Sequence, residues 1–135
     1  MSYRKADIRP LREEDEPLLF GLARLDRGAD ERTLDVLDRD TVFVAELDGV
    51  PAGYVALEPE EEHIRIEQLF ISAEHEAEGV GRQLLEYAEG YAISQRARAL
   101  QVVVAGDDRR AVAFYRGRGF VPLEENVLEL LLPQS

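Results

Sequence analysis

The chain has 135 residues and a mass of 15.2 kDa, enough for one domain around one hydrophobic core. Sixteen basic against 28 acidic side chains leave a net charge of −12 and a pI near 4.6, a field that repels phosphate backbones and disfavours nucleic acid as a partner. With no cysteine there is no disulfide and no thiolate nucleophile or metal ligand, and 45% hydrophobic with 33% charged residues is a folded, soluble composition. The opening residues, Met1-Ser2-Tyr3-Arg4-Lys5-Ala6-Asp7, lack the apolar run of a signal peptide, and no stretch approaches membrane-spanning length. The expectation is a cytoplasmic single domain over residues 1–135 with no membrane partner. Fifteen of the sixteen basic residues are arginine, and only Lys5 is lysine. Acidity with scarce lysine fits either a GC-rich coding sequence or adaptation to a high-salt cytoplasm.

In chain order, residues 6–9 are a short strand candidate. Asp15-Glu16-Pro17 starts a helix with Leu18, Leu19, Leu22 and Leu25 on one side, ended by Gly28. Residues 30–39 form a second, weaker helix. Apolar, β-rich runs at 41–47 and 50–57 flank Asp48-Gly49, a two-residue hairpin signal. Residues 58–62 are an acidic turn. In residues 63–71, Ile64, Ile66, Gln68 and Phe70 alternate against His63, Arg65, Glu67, Leu69 and Ile71, as in a central strand. A loop at 72–78 leads into an amphipathic helix at 79–96, with Val80, Leu84, Leu85, Ala88, Tyr91 and Ala92 at helical spacing. Residues 100–104 are a buried strand, Asp107-Asp108 cap a helix at 109–117 that ends at Gly119, and 120–123 and 126–132 close the chain as strands. The order β-α-α-β-β-β-α-β-α-β-β specifies a mixed α/β (α+β) fold.

Two segments carry chemistry. Gly79-Val80-Gly81-Arg82 lies at a strand-to-helix junction, where glycines admit close backbone approach and the helix end favours a pyrophosphate or similar anion. Read alone it is equally a tight turn that starts a helix. No Gly-Lys-Ser/Thr follows, so it is not a P-loop, and the antiparallel hairpins before it argue against a dinucleotide fold. The second segment is Asp108-x-x-Ala111-x-x-Phe114-Tyr115-x-x-x-Gly119-Phe120, which sets a phenol just after a central strand, where it is either core or a proton donor. His63 and His75 are too few and too far apart for a metal site, so no metal is expected.

Together the segments resemble the Gcn5-related N-acetyltransferase (GNAT) superfamily, in which a Gln/Arg-x-x-Gly-x-Gly/Ala loop follows the fourth strand and Asn-x-x-Ala-x-x-Phe-Tyr-x-x-x-Gly-Phe follows the fifth. The matching stretches here are Glu76-Ala77-Glu78-Gly79-Val80-Gly81 and Asp108 through Phe120, and the hairpin at 46–54 and the strand at 66–71 are also typical. The resemblance implies a mostly antiparallel sheet of six to seven strands with helices on both faces. It also implies acetyl-coenzyme A as cosubstrate, held where the fourth and fifth strands splay apart. Backbone groups of Leu69, Phe70 and Ile71 would pair with the pantetheine arm. N–H groups of Ala77, Glu78, Gly79, Val80, Gly81 and Arg82, in a loop begun by Glu76, would cradle the diphosphate. Asp108, Ala111 and Phe114 would line the other side, and Tyr115 would protonate the departing thiolate. A backbone amide on the fourth strand would polarise the acetyl carbonyl. The acceptor would be a small-molecule or protein amine, with a homodimer left open.

The chain departs from that pattern in three places. Glu76 stands where Gln or Arg is usual, so that Glu74, Glu76 and Glu78 crowd the anion site; two unit charges about 6 Å apart repel by roughly 0.7 kcal/mol in water and more when partly buried. Arg82, Arg109, Arg110 and Arg116 are candidate compensation. Asp108 replaces Asn. The fifth-strand carboxylate of protein-acetylating relatives is replaced by Val103, leaving Glu67 as the candidate base or, alternatively, as a surface partner of Arg65. The rival function is a catalytically silent acyl-coenzyme A-binding or protein-interaction member of the same fold.

Overall fold

The computed structural model describes residues 4–27 and 39–134. Its elements are β1 (Asp7–Pro10), α1 (Glu16–Arg27), β2 (Val42–Leu47), β3 (Val50–Pro59), β4 (His63–Ile71), α2 (Val80–Ser94), β5 (Ala99–Val103), α3 (Arg109–Gly117), β6 (Val121–Glu124) and β7 (Val127–Leu131). Short 3-10 turns occupy Glu13–Asp15, Arg39–Thr41 and Ala73–Glu78, the last where the sequence suggested an irregular loop. Gly28 and the expected second helix, apart from Arg39, lie outside the described residues.

The strands form a seven-stranded sheet in the order β1-β2-β3-β4-β5-β7-β6, antiparallel throughout except for the β4–β5 pair. Asp48 and Gly49 take φ of 52° and 80° between β2 and β3, the doubly left-handed turn whose twist matches a hairpin. α1 covers one face, burying Leu19, Phe20 and Ala23 against Val42, Val44, Tyr54, Ala56 and Phe70. Leu18, expected on that apolar side, is exposed instead, because Leu19 and Phe20 supply the buried stripe. The opposite face receives Leu84, Leu85, Ala88 and Ala92 of α2, with Phe114 and Tyr115 of α3 packed beside them. Tyr87 and Tyr91 close on Phe43 with ring centroids 4.9 and 5.2 Å away. Helices therefore cover both faces, as the resemblance implied.

The alternation expected for β4 breaks midway. Ala56 pairs with Gln68 but Leu57 pairs with Ile66, so Glu67 is a bulge residue with no partner on β3. Ile64 and Ile66 face α2, and past the bulge it is Leu69 and Ile71 that do so, while Phe70 turns to the α1 side. A residue added to one strand of a pair reverses every later side chain.

Candidate active site

The β4–β5 ladder runs from His63↔Ala99 to Ile66↔Val102 and stops. From there β5 continues against β7, while β4 continues to Ile71 against β3 alone. The alternate N–H and C=O groups of residues 67–71 that face β5 thus have no strand to bond. The bulge and the parting coincide, and beside the far end of β4 opens a cleft of about 440 Å³, within the range of small-molecule sites. One wall is Leu69, Ile71, Gly79, Gly81 and Arg82; the other is Asp108, Ala111, Phe114 and Tyr115. Glu76 and Arg110 add one charge of each sign.

The turn at the head of α2 is built for close approach. Gly79 ends the 3-10 turn Ala73–Glu78 and caps α2 at φ 79°, a left-handed conformation that favours glycine. The first intrahelical bond runs from the Gln83 N–H to the Gly79 carbonyl (3.2 Å), so the N–H groups of Val80, Gly81 and Arg82 precede any intrahelical acceptor. A Cβ on Gly81 would stand 3.6–3.7 Å from Ile71 and Phe114, between the two walls. Gly79 has no side-chain cap, and the positive end of a 15-residue helix is left for an anion.

The three carboxylates before this turn diverge. Glu74 has a side chain 78% exposed. Glu76 lines the cleft. Glu78 turns away: Oε2 accepts from Arg4 Nη1 at 2.9 Å and Oε1 meets Nδ1 of His75 at 3.1 Å. Those two contacts, His75 first, hold its carboxyl below the usual range. His75 is thus a partner within the loop, and the arginine that meets Glu78 is Arg4 rather than the downstream ones.

On the α3 wall, the Asp108 side chain accepts the Ala111 N–H at 3.1 Å and caps the helix. Tyr115 is buried edge-on between Phe114 and Phe120, with centroids at 5.1 and 5.3 Å, and burial raises its phenol well above the ordinary value. Its hydroxyl has no hydrogen-bond partner among the described residues, while the ring borders the cleft. It therefore remains protonated across the neutral range.

Other candidates are not among the residues that line the cleft. Phe70 buries its ring against Tyr54, and Val80 its side chain in the core. Ala77 lies within the 3-10 turn. Glu67 accepts from Arg65 Nε at 2.8 Å and Nη2 at 2.5 Å, and it is not among the residues lining the cleft. Val103 points outward, 63% exposed. Sequence reading missed Arg4 and Gln83. Arg4 is 74 residues from Glu78, and no local pattern reports such a contact.

The profile described as the Acetyltransferase (GNAT) family matches residues 6–120. An uncharacterized N-acetyltransferase of Archaeoglobus fulgidus is 34% identical over 85 residues, covering 58% of each chain, less than two thirds of that relative's length. The fold is similar to Ard1 from Thermoplasma volcanium, with a TM-score of 0.83 and 16% identity over 96% of this chain and 99% of that one. It is also similar to the PaiA N-acetyltransferase from Thermoplasma acidophilum, solved in complex with coenzyme A. There the TM-score is 0.76 and the identity 17%, over 95% and 99% of the two chains.

Proposed function

This chain belongs to the GNAT acetyltransferase family, and from that premise we propose that it moves an acetyl group from acetyl-coenzyme A to a primary amine by direct attack, with no covalent enzyme intermediate. The observation that carries the reading is the cleft where β4 and β5 part, with a glycine-flanked helix start on one wall and a buried tyrosine on the other. The residues fit the cosubstrate. Val80, Gly81 and Arg82 offer N–H groups for a diphosphate, Gly81 leaves the space a Cβ would fill, and the free edge of residues 69–71 can take an extended chain as an added strand.

Acetyl-coenzyme A supplies the activated acyl group as a thioester. The protein's own part is positioning and proton control. The β4 edge and the α2 turn fix the thioester against an incoming neutral amine, which removes much of the entropic barrier. An N–H on the β4 edge polarises the acetyl carbonyl. Tyr115 holds a proton at its hydroxyl for the sulfur that leaves, and burial keeps that proton in place. Glu67, engaged by Arg65 at the bulge, is not assigned the base; an amine that enters unprotonated needs none before it attacks, and the proton its nitrogen sheds as the C–S bond breaks replaces the one Tyr115 gives to sulfur.

Calorimetric titration with acetyl-coenzyme A, at low salt and in molar KCl, and thiol release over a panel of small and protein amines test the reading. Heat and thiol release are expected. No heat at either salt overturns it. A specific observation favours a second reading, a silent acyl-coenzyme A-binding member: no carboxylate stands at Val103, and Glu67 is ion-paired. Heat with coenzyme A but silence over the whole panel selects it.

A further inference from the structure

The N-terminal segment is strapped across the head of α2. Gln83, 8% exposed, accepts the Ala6 N–H at Oε1 (2.9 Å) and donates from Nε2 to the carbonyls of Arg4 (2.6 Å) and Gly79 (3.3 Å). The Arg4 N–H reaches the Glu78 carbonyl (3.3 Å), and its guanidinium divides between the Glu78 carboxylate and Asp48 of the β2–β3 turn. With His75 on its other oxygen, the Glu78 carboxylate is held on both sides one residue before Gly79.

We propose that Arg4 is a positioning residue for the diphosphate-binding turn: it neutralises Glu78 and holds that carboxylate away from the N–H groups of Val80, Gly81 and Arg82, while Gln83 fixes Arg4 in place. The inference rests on acetyl-coenzyme A occupying the cleft. Exposed ion pairs contribute little to stability, and the Arg4 side chain is 41% exposed. Its consequence lies in the field at the turn. A carboxylate freed next to Gly79 would confront the same backbone donors that receive the diphosphate, and would repel the anion as it arrives. Arg4 thus offsets one of the three carboxylates that crowd this loop.

The test is the affinity for coenzyme A, by calorimetry, of the wild-type chain and of Arg4→Ala, Glu78→Gln and the double variant, with circular dichroism reporting the fold. Arg4→Ala is expected to weaken binding about fivefold at low salt, and the defect should shrink in molar KCl as screening shortens the reach of the freed charge. Glu78→Gln alone should bind no more weakly than wild type, and the double variant should return to within about twofold of it. A strap that only held the turn in shape would show neither the rescue nor the salt dependence. Equal affinity for Arg4→Ala, or a loss that Glu78→Gln fails to reverse, overturns the proposal. No heat with the wild-type chain at either salt overturns the acetyltransferase reading and this inference with it.

Discussion

Tyr115 is placed by its neighbours before any chemistry is asked of it. Edge contacts to Phe114 and Phe120 fix the ring, and burial disfavours the phenolate. Phenylalanine preserves those contacts and removes only the hydroxyl. Tyr115→Phe is therefore expected to lower kcat by about 100-fold, the scale of one proton donor, with the coenzyme A affinity close to wild type; steady-state kinetics beside calorimetry measures both. Equal turnover at every pH would remove the acid role and leave the fold intact. Asp15 is a second residue whose surroundings decide its behaviour. Its side chain is 4% exposed, accepts from Nη1 and Nη2 of Arg9 at 2.7 and 2.9 Å, and accepts the Arg12 N–H at 2.7 Å. Arg9 is the main cause that depresses its pKa below the ordinary 3.8. The unfolded chain then binds the proton more readily than the folded one. The stability from this contact is complete above the ordinary aspartate range and is lost as pH falls through the folded value. Asp15→Asn is expected to cost about 2 kcal/mol at neutral pH, and urea titrations should show the gap to wild type closing below the aspartate range.

At the scale of elements, two glycines, one in a strand and one in a helix, stand in opposite situations. A Cβ on Gly53 in β3 would press on the Phe70 carbonyl and come within 3.0 Å of Ile71 Cδ1, so β3 and β4 would have to move apart. One on Gly81 would meet only ordinary contacts. Gly53→Ala is expected to destabilise by about 2 kcal/mol through overpacking. Gly81→Ala should fold at least as stably as wild type, since alanine gains up to about 1 kcal/mol over glycine in a helix. Thermal melts of the pair decide this, and a stable Gly53→Ala protein would contradict the β3–β4 register. The contrast marks what a single sequence shows. Helical spacing exposed α2, Asp48-Gly49 exposed the hairpin, and the two motifs exposed the cleft walls, because each is written within a few residues. The bulge at Glu67 was not legible: it exists only as a count of β4 residues against β3, and it reversed the faces assigned to the end of β4. The pairing of Arg4 with Glu78 was hidden for the same reason. It joins residues that only the folded chain brings together, and so the acidic loop looked more hostile to an anion than its geometry is.

Over the whole molecule, the 12 surplus acidic charges oppose compaction, while ion pairs bind elements to one another. The pairs differ in kind. Arg9 joins Asp15 and Glu46 with all three side chains under 20% exposed, and salt screens such a site weakly. Arg98–Glu62 is about two-thirds exposed on both sides, and Glu86, serving both Arg82 and Arg118, is 45% exposed; pairs of this sort contribute about 0–1 kcal/mol each and fade with salt. Self-repulsion, by contrast, sums over every unmatched carboxylate at once. Raising KCl from about 0.1 M to 1 M shortens the screening length from about 10 Å to 3 Å, which removes most of the long-range repulsion and only the weaker share of the attraction. The melting temperature is therefore expected to rise with KCl by a few degrees, as a gain of about 1 kcal/mol would produce in a chain of this size. A fall would show that the exposed pairs outweigh the repulsion, and the acidity would then owe nothing to a saline cytoplasm.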